Sequence, residues 1–122
     1  MPIDTTTALA ANRAAIGLSC WTVPVTASKL FGIDISNDVS GKLYLRLGGT
    51  RDLALAAGTK GFQGDAKKLM LGIAAACDVA DIVAVKLARK EGQISKLGTV
   101  LFIGASLGCL ALGAKAATEE TA

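Results

Sequence analysis

The sequence predicts an all-α protein, a bundle of four transmembrane helices forming one domain over residues 1–122, and three observations predict it. The first is composition. Apolar residues make up 52% of the chain without counting its 14 Gly, and aromatics only 4%. Soluble domains reach about 45–50% apolar with glycine included, so the surplus here is aliphatic and small, the kind that packs helices closely in lipid. The second is a mean hydropathy of +0.50 with 19% charged residues, against about 25% charged in soluble domains. The third is a pattern of four apolar runs separated by three polar connections, in a chain long enough for four helices of about 20 residues.

Span one is expected over residues 7–30. Residues 14–28 carry no charge, and Trp21 and Pro24 fall in the C-terminal half, where Pro kinks a helix unless a neighbour satisfies the freed carbonyl. Residues 31–42 form the first connection, with Asp34, Ser36 or Asp38 capping the next helix. Span two covers residues 40–59 and ends in a Lys- and Gly-rich turn over residues 59–68. Span three covers residues 68–88. Asp78 and Asp81 lie near its middle, about 60° apart on one face. A basic, polar connection over residues 86–96 leads to span four, residues 97–116. Its first 18 residues are uncharged, which meets the length of a membrane helix. A soluble bundle would show a polar stripe on every helix, whereas this one offers only Thr99 and Ser106. Gly104 and Gly108 are spaced to admit a second helix closely, and would be the face of a homo-oligomer. Residues 116–122 read as a solvated end. The N-terminal apolar stretch has no basic region before it, so the chain is expected to begin at or near Met1 without a cleaved signal peptide. The expected location is an integral, multi-pass position in a bilayer.

Several functions are excluded. The net charge of +3 is scattered rather than gathered with aromatics, so nucleic acid is not a partner. The chain has no His, which removes the commonest metal ligand and general base, and no metal or cofactor is expected. Cys20, Cys77 and Cys109 are far apart and lie in apolar segments, so they read as small buried residues. Gly48-Gly49 lacks the spacing of a phosphate-binding loop.

The charges inside the spans carry the functional reading. Along a helix Arg46 and Arg51 point about 140° apart and Asp52 about 100° further on, so no single wet face holds all three. Other helices must surround this segment and supply partners. Each such charge costs about 2.5–3.5 kcal/mol at mid-helix on insertion scales. Pairing balances by count, with Arg13, Arg46 and Arg51 against Asp52, Asp78 and Asp81. The expectation is that Arg51 sits against both Asp78 and Asp81, with Arg13 and Arg46 nearer the helix ends. Buried ion pairs add little net stability, so retaining six such groups points to a polar cavity with a use as well as to a cluster that sets helix register.

The run G-G-T-R-D-L-A-L-A-A-G at residues 48–58, D-V-A-D at residues 78–81 and K-L-F-G at residues 29–32 resemble the small four-helix integral-membrane proteins grouped as a domain of unknown function. The resemblance covers about residues 10–115. It implies four membrane helices and no established chemistry.

Two classes of function follow. In the first, the chain is a membrane-embedded acid-base enzyme acting on a lipophilic small molecule, as an epoxide hydrolase, cyclase or isomerase. Asp78, Asp81, Arg51 and Asp52 are the catalytic candidates, and Arg46, Arg13, Tyr44 and Trp21 the supporting ones. Two carboxylates close together cannot both ionise easily, so one of Asp78 and Asp81 is expected to donate a proton and the other to accept one. Soluble epoxide hydrolases of the limonene-epoxide type use a similar trio, a likeness of chemistry and not of sequence. In the second class the chain is a non-catalytic membrane subunit or lipid-binding module whose charges only fix packing. Tyr44 fits either class, as a donor or as an interface anchor.

Overall fold

The computed structural model describes residues 4–121, and the expected start at Met1 lies outside them. The protein is all-helical, as predicted: α1 (Thr5–Thr22), α2 (Pro24–Leu30), α3 (Val39–Gly61), α4 (Gly64–Lys90) and α5 (Lys96–Thr121).

Asp4 caps α1 by accepting from the Thr7 backbone N–H at 2.7 Å. That bond and the Thr7 hydroxyl hold its carboxyl below the usual value. The cap therefore stabilises the fold above the ordinary carboxyl range and is lost as pH falls through the lowered value. The expected first span is broken in two. Pro24 has no N–H to donate, so it opens a new helix, and Val23 at φ −134°, ψ 61° makes the joint. Of the three capping candidates Asp38 caps α3, accepting from Gly41 N–H at 2.9 Å. Asp34 instead accepts from the Ser36 hydroxyl at 2.6 Å and the Ser36 N–H at 2.9 Å.

The two later connections are shorter than their polar composition suggests. The expected turn over residues 59–68 contracts to Phe62 and Gln63, and α4 continues through Lys86 to Lys90. Gly92 then reverses the chain at φ +74°, a left-handed conformation that favours glycine. Ser95 caps α5 by accepting from Gly98 N–H at 3.0 Å. The end read as solvated is also helical. Ala116 is buried, and Thr5 Oγ1 donates to Glu119 Oε1 at 2.9 Å, so the first and last helices meet.

Hydrogen bonds fix the directions. Lys60 Nζ donates to Thr7 Oγ1 at 2.6 Å and Trp21 Nε1 to Thr50 Oγ1 at 2.9 Å, so α1 and α3 are antiparallel. The Thr5–Glu119 bond and one from Asn12 Nδ2 to Cys109 Sγ at 3.2 Å make α1 and α5 antiparallel too. With α4 packed on α5 and α3, the four long helices form an up-down-up-down bundle in which α1 and α4 are parallel and diagonal. Of the long helices, α1 and α3 pack together most extensively. A Cβ on Gly17 or on Gly49 would stand 2.7 Å from the other's carbonyl oxygen. A Cβ on Gly104 or Gly108 would meet nothing within 4 Å, so that face of α5 is open within the chain.

Among the described residues one helix is long and apolar enough to cross a membrane: Lys96–Glu119 in α5, with a mean hydropathy of 2.0. Only 17% of its apolar window is buried inside the bundle. Leu97, Val100, Leu101 and Leu107 of α5 face outward, as do Leu69 and Val79 of α4.

The crossing predicts a contrast between two glycines. Gly49→Ala should destabilise the bundle by about 1–3 kcal/mol through overpacking. Gly72→Ala, where a Cβ meets nothing within 4 Å, should be neutral or stabilising by up to about 1 kcal/mol. Melting curves in detergent check both.

Candidate functional site

The bundle encloses a cavity of about 130 Å³. At one end Phe31 and Phe102 meet edge to face, with ring centroids 5.1 Å apart. At the other a cluster of Leu9, Leu71, Cys109 and Ala116 fills the core. Between them Arg13 from α1, Arg51 and Asp52 from α3, and Asp78 and Asp81 from α4 line the space, while Ile16, Leu45 and Ala105 add apolar wall.

All four catalytic candidates from the sequence, Asp78, Asp81, Arg51 and Asp52, are thus brought to one cavity. The supporting set divides. Arg13 lies at the centre, not near a helix end, because α1 runs from Thr5 to Thr22 and places it mid-helix. Arg46 is drawn off to Trp21, with its guanidinium 5.9 Å from the ring centroid and Nε donating to the Trp21 carbonyl at 3.2 Å. Tyr44 is 71% exposed and lies outside the cavity lining.

The pairing also differs from the expected one. Arg51 does not bridge Asp78 and Asp81. Arg13 crosses the bundle and holds Asp78 with two bonds, Nη1 to Oδ1 at 3.0 Å and Nη2 to Oδ2 at 2.6 Å. Arg51 holds Asp81 in the same fork geometry at 2.9 and 2.7 Å. The two aspartates share a face of α4, but the diagonal neighbour reaches the first and the adjacent helix the second. Their environments differ sharply. The Arg13 and Asp78 side chains are 4% and 5% exposed, whereas those of Arg51 and Asp81 are 42% and 21% exposed. Arg51 therefore marks the mouth, along the seam where α3 and α4 touch least of the neighbouring long helices.

Asp52 has no such fork. Its nearest cation is Arg51, with Nη2 3.8 Å from Oδ1, beyond hydrogen-bond reach. The zero charge sum read from the sequence depended on Arg46. With Arg46 over Trp21, the cavity holds two cations, Arg13 and Arg51, and three carboxyl groups. A second group is also unsatisfied: Arg13 Nε is buried without a hydrogen-bond partner.

Sequence reasoning underrated Arg13, although it is the only charge between Asp4 and Lys29. It also treated Cys20 and Cys109 as plain core. Both are buried, and both line the cavity. Among the described residues no group of His, Cys, Asp and Glu is arranged to hold a metal ion. No family model matches the chain, and no curated protein or solved structure matches it either.

The geometry moves the energetic centre from Arg51 to Arg13. Arg13→Ala strands a buried carboxylate and should cost about 3–5 kcal/mol, and the double change Arg13→Met with Asp78→Leu should cost less than the sum of the singles. Arg51→Ala should cost less than Arg13→Ala, because Asp81 is partly uncovered. Denaturation of the singles and the double in detergent measures the coupling, and additive losses would separate the residues.

Proposed function

We propose that the chain is a small multi-pass membrane protein whose four long helices cross the bilayer and whose cavity transforms a lipophilic small molecule by acid-base chemistry. The observation that carries this reading is the convergence of five ionisable groups from three helices on one cavity whose other walls are mainly apolar. Ion pairs that served packing alone would be expected to fill their space, and here they border a cavity of about 130 Å³. α3, α4 and α5, with 23, 27 and 26 residues, are about 35–40 Å long against a hydrocarbon core of about 30 Å. Asp78 and Asp81 of α4 are each paired with an arginine at the cavity, as ionisable groups in a membrane are, and large apolar side chains of α4 and α5 turn outward.

For an epoxide the step balances without a cofactor. A carboxylic acid of the site gives its proton to the ring oxygen as the C–O bond breaks. Water attacks the carbon, and an aspartate takes one proton from that water. The proton then returns to the acid and a diol leaves. Cyclisation or double-bond migration would use the same donor and acceptor without water. The cavity is close in size to one of about 150 Å³ that holds a single benzene, so the reacting end of the molecule is small or cyclic. A longer chain would trail along the α3–α4 seam. The non-catalytic reading, a membrane subunit or lipid-binding module, is favoured by the open Gly104 and Gly108 face of α5, which suits a second copy or another helix.

Two measurements test this. Four crossings place both ends of the chain on one side, so cysteines introduced at Asp38 and Glu119 should be labelled from opposite faces of a vesicle, and labelling from one face would rule out an even number of crossings. Purified protein incubated with lipophilic epoxides and polyenes should give product, with Asp52→Asn and Asp81→Asn each lowering kcat by about 100-fold or more while helical content is unchanged. If both variants supported every activity and phenotype of the wild type, the carboxylates would be structural.

A further inference from the structure

Resting on that reading, the identity of the acid and the chemistry of the ligand follow from the one carboxyl group that the cavity leaves without a cation in hydrogen-bond reach. Every charged or titratable side chain lining the space except Asp52 has a place. Arg13 from α1 is forked onto Asp78 from α4, Arg51 from α3 onto Asp81 from α4, and the thiols of Cys20 and Cys109 come from α1 and α5. Asp52 is left without a cation in hydrogen-bond contact. An ionised carboxylate in this position would leave the site with one uncompensated negative charge in apolar surroundings, which is expensive, and a carboxyl so placed neutralises instead.

We infer that Asp52 is the protonated acid of the site, and that its O–H donates to one neutral oxygen of an otherwise hydrocarbon ligand. The oxygen of an epoxide or a ketone accepts from that donor. An ammonium group cannot, and a hydrocarbon leaves it unmet. This assignment parts Asp52 from Asp78 and Asp81, each of which is forked onto an arginine. In a reaction Asp52 would be the donor and Asp81, at the mouth, the acceptor reached by water.

Infrared difference spectroscopy of the full-length protein in lipid nanodiscs reads the proton directly. At pH 7 wild type should show a carboxylic-acid carbonyl band that shifts in heavy water and disappears in Asp52→Asn, a variant of the same shape that should melt at the wild-type temperature. A missing band in wild type, or one that persists in Asp52→Asn, overturns the assignment. Binding of one monocyclic terpene skeleton in four forms tests the oxygen: epoxide, ketone, hydrocarbon and primary amine. The epoxide or the ketone should bind at least about tenfold more tightly than the hydrocarbon. Equal binding of the hydrocarbon, or tightest binding of the amine, overturns it. Neither readout needs turnover. A protein that shows the band and the oxygen preference but no reaction would refute the enzyme reading alone, and a reaction without the band would refute this inference alone.

Discussion

The Arg13–Asp78 pair is the constraint around which the bundle is arranged. It joins the two parallel helices α1 and α4 across the centre, where no backbone contact could, and does so with both side chains almost fully covered. Its value lies less in net stability, because desolvation largely cancels the attraction, than in what it forbids. Rotating α1 by one residue turns it by about 100° and would bury a guanidinium and a carboxylate apart from each other. Register, rotation and the pairing of diagonal helices are therefore held by one fork of two hydrogen bonds.

That constraint also explains why there is a cavity. Two side chains that reach across the middle keep α1 and α4 apart at that level, while the Gly17–Gly49 crossing pulls α1 tightly against α3. The bundle is thus closed on the α1–α3 side and looser along the α3–α4 seam, where side chains rather than backbones span the gap. Arg51 and Asp81 bridge that seam at the partly exposed mouth. The site is graded as a result: a sealed ion pair inside, a half-covered one outside, and Asp52 beside them with no fork of its own.

The aromatic and capping details serve this arrangement. Pro24 ends α1 early enough for Phe31 to turn over the end of the cavity and meet Phe102. The backbone there is close: a Cβ on Gly98 would collide with the Phe31 carbonyl, so α5 can approach only because that position is glycine. Trp21, placed on the last turn of α1, takes up Arg46 and removes it from the interior.

By itself the sequence determined the helical class, because apolar runs of helical length separated by short polar stretches have no other way to satisfy their backbone. It also determined which residues matter. Charges at 51, 52, 78 and 81 within apolar segments demand partners, and they do meet at one cavity. Composition did not determine where helices end, since a Lys-rich stretch such as residues 59–68 reads as a loop yet is mostly helix, its lysines lying at helix ends or along the surface. Tertiary structure alone decided the partners. Charge counting is blind to distance, so Arg46 and Arg13 looked alike until the break at Val23–Pro24 put one over Trp21 and the other at the centre. The surplus carboxyl that results is a property of the three-dimensional arrangement, for it exists only once each arginine has been assigned to the one aspartate it can reach.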